Sequence, residues 1–203
     1  MIPKSHVVRS TDPLRAELEA AGYVVVAESW GARLRISEGF DFRALHAAIE
    51  HVEASGLCIE ELDARFAAAL VDLEVDNQAD YPCTPATPHH APSLDAAVQM
   101  WVNGSRVFGA FNGATLVGVT VIVRRADRAE TEFTSVAREF RGRGVATAVK
   151  AASILAMANE GFTVFGTGGA QANEASRRMN ESIGYVIEER WLSYELPVKP
   201  SSC

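Results

Sequence analysis

The residues best placed to do chemistry lie in one segment, Thr134 to Lys150, which reads TSVAREFRGRGVATAVK. A β-branched run ends at Val136, and Arg141-Gly142-Arg143-Gly144 follows it. The amphipathic stretch beyond predicts a helix with Val145, Ala148, Val149 and Ala152 facing inward. Glycines at a strand-to-helix junction accept backbone dihedrals that other residues avoid, and they put no side chain in the way. The first amides of the helix have no intrahelical acceptor and can face an anion, so this turn is a phosphate cradle in outline.

Spacing separates the phosphate loops that could be meant. A P-loop needs Gly-Lys-Ser/Thr, whereas Val145 and Ala146 follow Gly144. A dinucleotide fingerprint needs glycine or alanine where Thr147 stands and an acidic residue at the end of the next strand, and VFGTGG supplies none. What remains, Arg141-x-x-Gly144-x-Ala146 ahead of a long helix, resembles the Arg/Gln-x-x-Gly-x-Gly/Ala signature of the GNAT superfamily of N-acetyltransferases. Downstream, NEASRRMNESIGY sets Asn173, Ser176, Asn180, Gly184 and Tyr185 in steps of three, four, four and one. It is similar to the family's second signature, Asn-x-x-Ala-x-x-x-Tyr-x-x-x-Gly-Phe. The resemblance covers Trp101 to Leu196 and is weak before that.

The resemblance implies an acetyl-CoA-dependent N-acetyltransferase that moves an acetyl group to a small-molecule or peptide amine by direct attack in a ternary complex. It implies an α+β (mixed α/β) fold, a GNAT-like mixed central sheet with helices on both faces, in which a splayed pair of strands admits the thioester. The cofactor-binding positions it implies are Thr134, Ser135, Val136, Arg141, Gly142, Arg143, Gly144, Val145, Ala146, Thr147 and Asn173. The pyrophosphate falls to the loop amides, and the Arg141 and Arg143 side chains are expected to reach phosphate. Asn173 is also expected to cap its helix.

Two positions are marked for catalysis. Glu132 lies on the cofactor-contacting strand, where some relatives carry a base, and period-2 alternation puts it on one face with Thr134 and Val136. Asn180 stands where many members carry a tyrosine that protonates the departing thiolate. An amide supplies no proton at neutral pH, so either another group does so or no acid is needed. Gly169 occupies a loop position where relatives often carry asparagine.

The elements that must position these residues follow from hydrophobic period and turn chemistry. Helices are expected from Pro13 to Gly22, after Asp41, over IEELDARFAAALVDLEV, from Ser93, from Arg143 to Glu160 and from Asn173 to Ser182. YVVVAESW and ARLRI read as two strands meeting at a turn around Gly31, and RVFGAF and ATLVGVTVIVRR as a hairpin about Asn112-Gly113. TEFTSV, FTVFGT and YVIEERWLSYEL complete the strands. Residues 1 to 12 read as a flexible N-terminus, 13 to 92 as a part that could form an acceptor-side lobe, 93 to 197 as the cofactor-binding core and 198 to 203 as a tail.

DNQADYPCTPATPHHAP, with four of the eight prolines, reads as a surface loop. If it borders the acceptor cleft, Tyr81, His89, His90 and Trp101 are candidate contacts, each with plain packing or solvent as the simpler role. His89 and His90 have no carboxylate or cysteine at ligand spacing on a regular element, so no metal is expected, and Cys83 has no activating partner.

Composition sets the frame. The chain has 203 residues, 48% hydrophobic and 22% charged, which excludes wholesale disorder. A net charge of -7 without a run of Lys and Arg argues against a nucleic-acid partner. Three widely spaced cysteines, no leader-like apolar stretch and no membrane-length apolar window fit a cytoplasmic protein with no membrane partner. Two other classes compete with the enzyme: an acyl-CoA-binding sensor module without turnover, and an interaction protein whose functional surface is residues 1 to 92.

Overall fold

The computed structural model describes residues 5–82 and 84–197. Cys83 and the tail from 198 onward lie outside them, as do residues 1–4. The elements are β1 (His6–Arg9), α1 (Leu14–Ala20), β2 (Val24–Arg35), α2 (Arg43–Glu53), β3 (Cys58–Leu62), α3 (Ala67–Asn77), α4 (Leu94–Val102), β4 (Arg106–Asn112), β5 (Thr115–Arg124), β6 (Ala129–Val136), α5 (Val145–Asn159), β7 (Val164–Ala170), α6 (Glu174–Ser182) and β8 (Val186–Glu195). All eight strands form one mixed sheet in the order β1-β8-β2-β7-β6-β5-β4-β3.

Helix starts follow capping chemistry. Asp41 Oδ1 accepts from the Arg43 amide, Ser93 Oγ from Ala96 and Asn173 Oδ1 from Ser176. Alternation along β5 sends Gly118 and Ile122 to one face, packed beneath α5, and Val119 and Val121 to the other, beneath α3 and α4. Ile122 shares its cluster with Leu45 of α2 and Ile154 and Met157 of α5, whereas Val119 and Val121 share theirs with Leu70 and Leu73 of α3 and Ala97 of α4. Gly118 is needed: a Cβ there would stand 2.6 Å from Val145 Cγ1, so its absence lets the start of α5 sit against the sheet.

Three local expectations are corrected. The lead-in is not frayed throughout, because His6–Arg9 pairs with β8 from Tyr194 to Trp191. Gly31 makes no turn: β2 runs through it with a register shift between Gly31 and Ala32, and the missing side chain accommodates Glu189, whose Oε2 would lie 2.9 Å from a Cβ. The helix expected over IEELDARFAAALVDLEV begins only at Ala67, because Cys58–Leu62 is a strand on the outer edge of β4. Residues 13–92 share the sheet with the rest of the chain, since β2 lies hydrogen-bonded between β7 and β8.

Candidate active site

The site is made by a gap in the sheet. β6 and β7 are its parallel neighbours, and they pair only at Ala129 with Phe165 and Glu130 with Gly166. Beyond that β7 turns to β2, pairing from Val164 to Ala170, while β6 stays with β5. The parting strands open a cavity of about 920 Å³, bounded by both strands, the loop before α5, the start of α6 and the proline-rich loop.

At one end stands the turn singled out by sequence. Gly142 and Gly144 have φ of 72° and 82°, left-handed values that a side chain resists. Gly144 stands at the cap position just before α5 and has no side chain to cap it. Among the described residues, none of the main-chain amides from Gly142 to Thr147 donates to a protein acceptor. Gly142, Gly144, Val145, Ala146 and Thr147 all border the cavity. A run of amides without protein acceptors among the described residues, at the positive end of a 15-residue helix and bordering the cavity, fits a diphosphate.

Of the two flanking arginines, Arg141 borders the cavity, whereas Arg143 is not among the described residues that line it. Arg141 donates from Nε to the Val136 carbonyl at 2.9 Å, from Nη1 to Asp80 at 2.7 Å and from Nη2 to Asn77 at 2.7 Å. Its guanidinium is thereby committed to fixing the turn against α3. Asn77 in turn donates to Ser135 Oγ at 2.8 Å, so the Ser135 side chain points to α3 and away from the cavity. Arg138 and Arg141 together hold the Asp80 carboxyl below the usual carboxylate range. Arg143 makes no ion pair among the described residues and lies over the Phe140 ring, 5.2 Å from its centroid. Thr134, Val136 and Asn173 line the cavity, and Thr134 Oγ1 is 2.8 Å from Thr120 Oγ1.

Glu132 is the extra residue of a β-bulge, because Phe133 pairs with Val121 and Thr131 with Ile122. The bulge interrupts the alternation that would align Glu132 with Thr134 and Val136. Its carboxylate reaches the cavity edge but is 43% exposed and ion-paired to Arg125 at 2.7 Å. Asn180 is buried on the cavity wall and turns back on its own helix, donating from Nδ2 to the Ser176 carbonyl at 2.8 Å. Gly169 has a packing reason, since a Cβ there would meet the Trp30 indole at 2.9 Å, leaving no room for asparagine.

Of the acceptor-side candidates, Tyr81 and His89 line the cavity, His90 is exposed and Trp101, on α4, packs among core side chains with its indole N–H donated to the Leu62 carbonyl at 2.7 Å. The Tyr81 hydroxyl donates to the Thr134 carbonyl at 3.2 Å, and burial, followed by the charge of Glu74, pushes its ionisation far above the ordinary value. His89 is bonded to Glu74, fully buried on α3, with 2.6 Å between Nε2 and Oε2. The loop is therefore a wall of the site as well as a surface feature.

Sequence reasoning missed Lys150. It lies on α5, 1% exposed, beside the cavity. Its Nζ is 2.8 Å from Thr167 Oγ1 and 4.8 Å from the centroid of the Tyr185 ring. Burial pushes its ammonium down to about 7, against a smaller pull upward from Glu130. The signal was there to read: a single lysine inside VATAVKAASILAMAN has no polar face to occupy.

No curated protein sequence matches the chain. In fold it is similar to the GCN5-related N-acetyltransferase of Sphaerobacter thermophilus, with a TM-score of 0.73 at 15% identity over 95% of this chain and 59% of that one. The tandem GNAT protein of the clavulanic acid biosynthesis pathway gives 0.63 at 19% identity over 98% and 64%, and a GNAT-family acetyltransferase of Colwellia psychrerythraea 0.64 at 13% over 96% and 65%. The chain thus spans about three fifths to two thirds of the length of these proteins. The acetyltransferase (GNAT) family model matches residues 70–185, which takes in most of α3, the proline-rich loop, the glycine turn and both signatures. The chain belongs to the GNAT family of acetyltransferases.

Proposed function

We propose that the protein is an acetyl-CoA-dependent N-acetyltransferase acting on a small-molecule or peptide amine. The observation that carries this reading is the alignment of the free amides from Gly142 to Thr147 with the gap between β6 and β7, within one continuous cavity. The amides of the turn would hold the diphosphate, Arg141 at the cavity wall and Arg143 beside it would add positive charge, and Thr134, Val136 and Asn173 would border the pantetheine arm. Acetyl-CoA supplies the acetyl group as a thioester. The two parted strands orient it, and fixed orientation of reacting groups is worth on the order of 7 kcal/mol or more in well-aligned cases.

The departing group is a thiol with an ordinary pKa of about 8.5, so a dedicated acid adds little, and Asn180 at the family's tyrosine position is compatible with turnover. Of the two first-marked positions, Asn180 shapes the wall and Glu132 stands at the rim with its charge offset by Arg125. Release of free CoA thiol on mixing with acetyl-CoA and a panel of amines tests the reading. Amine-dependent release is the expected result. Tight binding with no release above hydrolysis would support the sensor module instead.

A further inference from the structure

The cavity holds a titratable pair that the cofactor site leaves unused. Glu74 is fully buried on α3, and of its two oxygens Oε2 is bonded to His89 while Oε1 has no partner among the described residues. Among the described residues no third His, Cys, Asp or Glu joins them, so the pair is not part of a metal cluster. With Glu74 as a carboxylate, which only accepts, the shared hydrogen belongs to His89 Nε2 and Nδ1 keeps its lone pair. Among the described residues Nδ1 has no hydrogen-bond partner, yet it is not enclosed, since the His89 side chain is 17% exposed and borders the cavity.

The ring is held in place from three sides. Glu74 fixes its edge, the Tyr81 ring stacks 3.8 Å away between centroids, and Phe133 of β6 stands at 5.3 Å. Tyr81 is itself anchored to the Thr134 carbonyl. The pair therefore lies against residues 133 and 134 of β6, in the reach of that strand which has left β7 and which the thioester would follow.

We propose that His89 is the proton acceptor for the amine substrate and that Glu74 is its positioning residue. The inference rests on the reading of the site as an acetyltransferase. An ammonium substrate gives one proton to His89 Nδ1, and the imidazolium so formed faces a buried carboxylate that has no other donor among the described residues. The neutral amine nitrogen then forms the C–N bond to the acetyl carbon as the C–S bond breaks, and that electron pair goes to sulfur. The second amine proton ends on sulfur and the imidazolium proton returns to solvent, so the products are amide, CoA thiol and one proton. Glu132, by contrast, stands at the rim, 43% exposed and ion-paired to Arg125, without a buried partner to hold it in place among the described residues.

The test uses the full chain, acetyl-CoA and the best acceptor among phenethylamine, spermidine, lysine amide and glucosamine. His89→Asn is expected to lower kcat/KM for the amine about 100-fold. The dissociation constant of acetyl-CoA should stay unchanged, and added imidazole should restore part of the rate. Glu74→Gln keeps a hydrogen-bond acceptor but loses the charge, and about tenfold should be lost in kcat with KM for acetyl-CoA unchanged. The double variant His89→Asn/Glu74→Gln, which leaves no buried charge unpaired, controls for folding and should be no slower than His89→Asn. Near-normal kcat/KM for the amine in His89→Asn, or a 100-fold loss in Glu132→Gln larger than that in His89→Asn, overturns the dyad assignment alone. A wild-type chain that binds acetyl-CoA and acetylates none of the four amines overturns the transferase reading and the dyad with it.

Discussion

Lys150 offers a quantitative check on the interior of the site. Burial shifts its ammonium from 10.5 to about 7, a preference for the neutral amine of about 4 to 5 kcal/mol at 1.36 kcal/mol per unit. The Tyr185 face and Glu130 offset only part of the cost of burial. Because the folded value lies below the unfolded one, the unfolded chain holds the extra proton between pH 7 and 10.5. Stability from this residue therefore rises with pH across that window, and the whole penalty is present below pH 7. Lys150→Met keeps the length of the side chain and removes the charge, at the loss of the Thr167 hydrogen bond, worth about 1 kcal/mol. The net gain expected at pH 6 is roughly 3 kcal/mol, which moves a urea midpoint upward by about 1 M or more. Urea unfolding of both proteins from pH 6 to 9.5 reads this directly: the gap should be widest at pH 6 and narrow toward pH 9.5. A gap that stays constant with pH, or a less stable variant at pH 6, would refute the account of a lysine forced toward neutrality.

Two further substitutions probe the frame. Gly118→Ala should lower the melting temperature by the equivalent of about 1 to 3 kcal/mol, because the new methyl overlaps Val145 at the start of α5, and calorimetry with and without acetyl-CoA should show weaker binding as well. Tyr185→Phe should be within about 1 kcal/mol of wild type in the same melting assay, since among the described residues the buried Tyr185 hydroxyl has no hydrogen bond of good geometry.

The site was legible in the sequence where its chemistry is local. Gly142 and Gly144 announce a left-handed turn before a helix, and that turn stands where the spacing puts it. Asn173 announces a cap and supplies one. What could not be read depends on neighbours distant along the chain. Cys58–Leu62 has helical character on its own and becomes a strand because β4 offers it an edge. Gly31 looks like a turn until Glu189 arrives from β8 to use its space. Glu132 loses its place in the alternation to a bulge, which no propensity signals. His89 and Glu74 are separated by 15 positions and a stretch of prolines, and only the folded loop makes them partners. Arg141 carries the family's motif yet spends its guanidinium on Asp80, Asn77 and Val136, contacts that only the packing of α3 against the turn creates.

The central claim is that the amides from Gly142 to Thr147 grip the diphosphate of acetyl-CoA. Thermal unfolding in the presence of that compound tests it most directly. At 100 times the dissociation constant, wild type should gain about 2.7 kcal/mol, a rise of roughly 5 to 10 °C for a chain of this size. Gly144→Asp, which tolerates the left-handed backbone but sets a negative charge in the turn, should remain folded and show no rise. An equal rise in both proteins, or none in wild type, would contradict the claim.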